Sequence, residues 1–408
     1  MKFKYLKIET IINALRGAYN NENQSFEAFS YNEIKYVLLS HLHTSKNISR
    51  TGREQFIESF LRKFHKEEIN EVNFNAFFEE AKTKYFRKKE VNYTLITSLS
   101  IDYLPFRKIK INRSILRIHG KKFPKKFLKS RKAVLADSRK EESLNDFLKV
   151  SVELKGKSFY DAFEEAYFDL NILRGILCLN INSTSEIPLT NDSHRAINKV
   201  QFGEYHTLHI SESGESIDSR SHWFETNFGE KVTQFSNENK EVRKKNILFW
   251  LSKLNSCQKE HKNKLSEVFN LYAGAFDEKD KQTCFLKSWV ALESLLGTHG
   301  NETIIKRCSS IYKKQDRNFQ NEILKGLQLQ RNQIVHENDD KINSIVNCYH
   351  IQRYIKGILL YNNLRYSKII KNNEEALKLL DYRLQSESSL ESEIKVLSAI
   401  KKIKKYES

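Results

Sequence analysis

The stretch RNQIVHEN, Arg331 to Asn338, places a guanidinium, a carboxamide and an imidazole close together as Arg331, Asn332 and His336. An imidazole that titrates near neutrality can take up or release a proton, and a permanently charged, forked guanidinium can stabilise negative charge developing on a phosphate. Acid–base work on a phosphodiester is the chemistry these types suit. Counting from Arg331 in threes and fours reaches Leu324, Leu327, Ile334 and Val335, so the guanidinium is rooted on an apolar stripe. In SWVALESLLG the same count puts Glu293 on a stripe with Trp289, Leu292 and Leu296. Two inward-facing opposite charges are expensive to bury unpaired, which predicts an Arg331–Glu293 pair.

The elements that must position these groups are helices. Asn332 and His336 are four residues apart and share a face, whereas Arg331 and His336 diverge by roughly 140° at 3.6 residues per turn. The two would meet on one phosphate if the helix ended at His336, where the polar run after it supplies stop signals, or if a second copy of the chain supplied its own pair. From residue 241 onward helical periodicity recurs almost without interruption, in ILFWLSKLNSC, KLSEVFNLYAGAF, QTCFLKSWVALESLLG and INSIVNCYHIQRYIKGILLYNNLRYS. The remainder, 371–408, reads as charged amphipathic helix.

RNQIVH matches the R-N-x-x-x-H signature of HEPN domains, and FLKSWVALESLLG resembles the preceding helix in the Apea-like branch of that family. The resemblance covers roughly residues 243–370. It implies a helical bundle that dimerises and, in catalytic members, cuts RNA without metal, leaving a 2′,3′-cyclic phosphate. Carried over by position, Arg331 and His336 are the catalytic pair, Asn332 the positioning residue and Glu293 a fourth. A toxin or anti-phage defence effector acting by abortive infection is the setting it implies. The alternatives are a non-catalytic HEPN module that binds RNA or protein, and a nucleic-acid-binding regulator that leaves His336 idle.

The first 240 residues read differently. SYNEIKYVLLSHL opens with Ser30 and Glu33 at capping-box spacing, and helical patterns continue to about residue 90. β-branched alternation then predicts strands through NYTLITSLSIDYLP, KIKINRSILRIHG and FLKVSVELKG, followed by a long helix capped by Ser158. The expected class is α+β: a mixed N-terminal domain with helices and a small sheet over 1–240, then an all-α, HEPN-type bundle over 241–370. The N-terminal domain is expected to grip substrate or to sense a phage or cellular trigger.

With 69 Lys+Arg against 51 Asp+Glu, the net charge of +18 favours polyanionic partners, RNA foremost. The run from Arg107 to Lys132 holds twelve Lys/Arg and no acidic residue. Lys121, Lys122, Lys125, Lys126, Lys129, Arg131 and Lys132 are the expected RNA contacts, with Phe123, Phe127 and His119 interleaved for stacking on unpaired bases. His194, His206, His209 and His222 lack metal-ligand spacing, since three residues along a strand point to opposite faces. No Gly-rich phosphate loop, G-x-S-x-G or Walker-type sequence occurs, so neither cofactor nor metal is expected. Five scattered cysteines without C-x-x-C spacing argue for a reducing, cytoplasmic setting, and no signal peptide or membrane span is read.

Overall fold

A computed structural model describes residues 1–20, 25–44, 48–65, 68–137, 146–185, 195–218, 221–229, 232, 234–236, 240–337 and 344–406. His194, Asn237–Asn239 of the expected domain boundary, and Asn338–Asp340 after the candidate motif lie outside the described residues.

The chain begins with β1 (Lys2–Phe3), α1 (Ile8–Ala18), β2 (Tyr19–Asn20), β3 (Ser25–Phe26), α2 (Ala28–His41), β4 (Leu42–His43), α3 (Arg50–Leu61) and α4 (Glu71–Arg87). The four helices close a core of their own, from Ile11 to Tyr85. Phenylalanines dominate its centre, with Phe60 packed edge-on against Phe64, Phe74 and Phe78. The capping box expected at Ser30 is absent: α2 starts two residues earlier, and the Ser30 hydroxyl donates back to the Glu27 carboxylate at 2.8 Å.

There follow β5 (Val91–Leu99), β6 (Lys108–Ile111), β7 (Ser114–Ile118), α5 (Lys125–Asp137), β8 (Leu148–Gly156), α6 (Phe159–Ile181), β9 (Tyr205–Ile210) and β10 (His222–Phe224). The sheet runs β10-β9-β5-β8-β7-β6, every neighbouring pair antiparallel. Because β5 is antiparallel to both β8 and β9, those two strands are parallel to each other and α6 is the crossover between them. Ser158 caps α6 as expected, accepting from the Asp161 amide at 3.1 Å. Leu148, Val150, Val152 and Leu154 are all buried, and so are Lys149 and Ser151 on the opposite side of the strand, where α5 lies.

The rest is helical: α7 (Lys240–Ser256), α8 (Lys259–Phe276), α9 (Lys281–Leu296), α10 (Asn301–Ser309), a 3-10 turn (Lys314–Asp316), α11 (Arg317–Glu337), α12 (Ser344–Lys356), a π-helical segment (Gly357–Leu364), α13 (Asn373–Tyr382) and α14 (Glu387–Tyr406). An α+β chain with a helical C-terminal region is what the sequence predicts. The break in packing differs from the expected one. One hydrophobic core runs continuously from Tyr93 to Leu380, joining the sheet and α6 to the C-terminal helices across residue 240. The interruption falls instead between Tyr85 and Tyr93.

α6 is why the sheet and the helices share a core, since both of its sides are covered. At its centre Arg174 is fully buried and donates twice to Asp277, at 2.6 and 2.7 Å, and once to Asn171 at 2.6 Å. Its guanidinium also lies 4.0 Å from the Phe202 ring centroid, and Asn198 donates to Asp277 at 2.8 Å. Burial pushes the Asp277 carboxyl up, against the pull of the adjacent guanidinium.

At its N-terminus α6 also ties down the first four helices. Asp161 accepts from the Ser49 amide at 2.9 Å and from the Tyr85 hydroxyl at 2.6 Å, so one carboxylate bridges the start of α3 and the end of α4. Gly52 is required beside it, since a Cβ there would stand 2.5 Å from Asp161 Oδ1. Asp161→Ala orphans these donors and is expected to weaken the docking of α1–α4 by about 1–3 kcal/mol. Amide hydrogen exchange checks this: α1–α4 should exchange faster while β5 and β8 keep their protection, and uniform protection would refute it.

Candidate active site

α11 carries the motif on its last turns. Leu324, Leu327 and Ile334 are buried, as the stripe requires, whereas Val335 is 49% exposed. Arg331 is half-buried and its Nη1 donates to Asn332 Oδ1 at 3.1 Å, a bond between neighbours on one helix. His336 is exposed. The helix continues through Glu337 without ending at the imidazole, so the divergence of Arg331 and His336 is retained within one chain.

Glu293 does not meet Arg331 among the described ion pairs. Its carboxylate accepts from Trp289 Nε1 at 2.8 Å and lies 3.0 Å from His299 Nδ1. The reason is local. Gly297 ends α9 in the left-handed conformation, at φ 63°, which folds the chain back and brings His299 onto the last turn. Trp289, one turn before Glu293, completes the enclosure. His299 is a candidate that the sequence reading missed; the Gly297-Thr298-His299 turn following an inward glutamate was its only signal. Glu293 is mostly buried while His299 stands 88% exposed, so the pair presents an imidazole to solvent with a carboxylate behind it. That arrangement can orient a proton donor or acceptor.

The basic run divides in two. Lys121, Lys122, Lys125, Lys126, Lys129 and Lys132 are exposed, with Lys121 in an ion pair to Asp146 at 3.2 Å. Arg131, expected among the RNA contacts, is buried: its guanidinium donates to the Ile96 and Tyr205 carbonyls and to the Thr207 hydroxyl, at 3.2, 3.0 and 2.8 Å. It holds α5 on the sheet. The rings expected to stack on bases are likewise turned to structural use. Phe127 is buried against His209, Phe123 lies between Arg131 and Lys149, and His119 Nε2 sits 2.7 Å from the Ser151 hydroxyl. Burial lowers the pKa of His119. An amphipathic α5 explains both outcomes, since its lysines and its Phe/Arg stripe lie on different faces.

His206 and His209 face opposite sides of β9. His206 meets the rings of Phe163 and Tyr167 on α6 and lies 2.6 Å from the Thr97 hydroxyl, while His209 meets Phe127 on α5. Among the described residues no three His, Cys, Asp or Glu side chains gather as a metal site, and the five cysteines are free and buried. No described helix is long and apolar enough to cross a membrane. No family model matches the chain, and neither the curated proteins nor the solved structures contain a match.

Proposed function

We propose that the chain is a metal-independent HEPN-type endoribonuclease that works as a homodimer through its C-terminal helices. The observation that carries this reading is the end of α11, where an exposed imidazole follows a half-buried guanidinium braced by Asn332. In this reading His336 takes the proton from a ribose 2′-hydroxyl or returns one to the 5′-oxygen, and Arg331 stabilises the charge building on phosphorus. Since the two side chains diverge along one continuous helix, a partner's α11 supplies the second half of each centre. A cytoplasmic toxin or anti-phage effector, with the N-terminal region receiving the trigger, is the setting that fits such an activity.

The test is incubation of the purified chain with total RNA in EDTA, followed by analysis of the new 3′ ends. Cleavage to 2′,3′-cyclic phosphates is expected; intact RNA, with and without lysate from phage-infected cells as trigger, would count against the reading. A non-catalytic module is favoured by one feature, the Arg331–Asn332 bond, which gives the guanidinium a structural role. Binding without cutting would select it.

The exposed lysines of α5 supply the phosphate grip. Replacing Lys125, Lys126, Lys129 and Lys132 by Gln is expected to weaken RNA binding uniformly across sequences. Each lost phosphate contact should lower the slope of log affinity against log salt by about 1. Fluorescence anisotropy over a salt series measures it, and an unchanged slope would remove α5 from the interface.

A further inference from the structure

From Ile394 to Lys405 every residue of α14 is exposed, although the helix is amphipathic. At 3.6 residues per turn, Leu390, Ile394, Val396, Leu397, Ile400 and Ile403 fall within an arc of roughly 180°. The last five of these are between 44% and 61% exposed. The start of the helix is held: the Tyr382 hydroxyl of α13 donates to Glu393 at 2.8 Å, and Leu390 is half-buried. A bare helical stretch as short as the one that follows is marginal in water on its own, because helices in proteins draw most of their stability from packing an apolar face. The face calls for a cover.

The charges identify it. Residues 387–393 hold Glu387, Glu391 and Glu393 and no cation, whereas residues 395–405 hold Lys395, Lys401, Lys402, Lys404 and Lys405 and no carboxylate. Complementing the helix dipole calls for such charges in the first and last turns alone. Here the sign changes at mid-helix, between Glu393 and Lys395. Glu393 and Lys404 also stand inside the apolar arc, about three turns apart and on nearly the same line of the helix. When a second copy is turned end for end about the point between Ser398 and Ala399, Glu393 of each copy meets Lys404 of the other. The same register sets Ile394 against Ile403 and Leu397 against Ile400, so the charged and apolar registers coincide. A parallel pair instead sets Glu393 on Glu393 and Lys404 on Lys404, where like charges repel.

We propose that α14 pairs antiparallel with α14 of a second copy of this chain, in a self-complementary two-fold contact. Five side chains about half exposed amount to roughly 500 Å² per copy and about 1,000 Å² for the pair, the lower bound for a specific interface, so the association is of the weak, reversible kind. The acidic half argues against an anionic lipid surface, which the lysine-rich half alone would fit. α14 begins beyond the stretch that resembles HEPN domains. The contact is therefore separate from the apposition of α11 and does not rest on the nuclease reading.

Sedimentation velocity of the full chain, over about 1–100 µM, tests it. Self-association that rises with concentration is expected. Glu393→Lys and Lys404→Glu should each weaken it about tenfold or more at an unchanged melting temperature, since each sets like charges against one another at both ends of the pair. Mixed in equal amounts, the two variants should associate as the wild type does, because every facing pair is then opposite in charge. The double variant Glu393→Lys, Lys404→Glu should recover association in the same way. Leu397→Gln with Ile400→Gln should abolish it at unchanged helix content, glutamine being a good helix former. A dimer that persists unchanged through all these variants would overturn this contact and leave the apposition of α11 standing. Absence of rescue on mixing would also overturn it. So would a wild type that is monomeric at about 100 µM and floats with vesicles of phosphatidylserine and phosphatidylcholine, which would give the helix to a lipid surface.

Discussion

His336→Ala is expected to lower metal-independent RNA cleavage by about 10²–10⁴-fold, the usual worth of a positioned acid–base group, while the melting temperature stays at the wild-type value. The second half follows from the exposure of His336, whose removal opens no cavity. Arg331→Lys should reduce cleavage by about 10²-fold or more although charge is kept, because an ammonium lacks the planar fork that meets two phosphate oxygens. Rates with EDTA present decide the matter. Full cleavage by His336→Ala would end the proposed mechanism whatever the state of the dimer.

Mixing experiments carry the geometry further. If each centre takes Arg331 from one copy and His336 from the other, a heterodimer of Arg331→Ala with His336→Ala contains one intact centre. An equal mixture of the two inactive variants should then recover roughly a quarter of wild-type activity, since half of the dimers are mixed and each has one centre of two. A mixture as inactive as its components would place both groups in the same chain, requiring α11 to break near His336.

The second large effect is on stability. Arg174→Met leaves Asp277 buried without its cation, and Asp277→Ala leaves Arg174 without its anion. Each is expected to cost about 3–5 kcal/mol, much of the roughly 5–15 kcal/mol by which a folded domain is stable. Both side chains lie in the core shared by the sheet and the helices, so the loss should appear as one cooperative transition at lower denaturant, without separate melting of sheet and bundle. Combining Arg174→Met with Asp277→Leu should cost less than either single change, since no unpaired charge remains. Single variants with wild-type denaturation midpoints would contradict the reading of this pair.

Burial of Leu324, Leu327 and Ile334 follows from a 3.6-residue period, which is local and therefore legible. The inward tilt of Glu293 was legible in the same way. Its partner was not, because pairing depends on where a distant helix lies, and the Gly297 turn offered His299 closer by in the chain. The run from Arg107 to Lys132 shows the same limit. Charge density is a property of composition, but the division into exposed lysines and a buried Arg131 was made by docking α5 on the sheet. The π-helical segment had no sequence signal, since Gly357–Leu364 reads as ordinary apolar helix.

By itself the sequence determined the mixed α+β class, the helical C-terminal region, the strands β5 to β8 and the long helix capped by Ser158, together with the basic balance of the chain. These depend on periodicity, capping and composition, which act over a few residues. Tertiary structure alone decided that the sheet and the C-terminal helices share one core and that the first four helices close another. It also decided which cations are buried, Arg131 and Arg174 among them. Those outcomes turn on contacts between residues far apart in the chain, such as Ser49 with Asp161 and Arg174 with Asp277, whose energies exist only once the elements have packed.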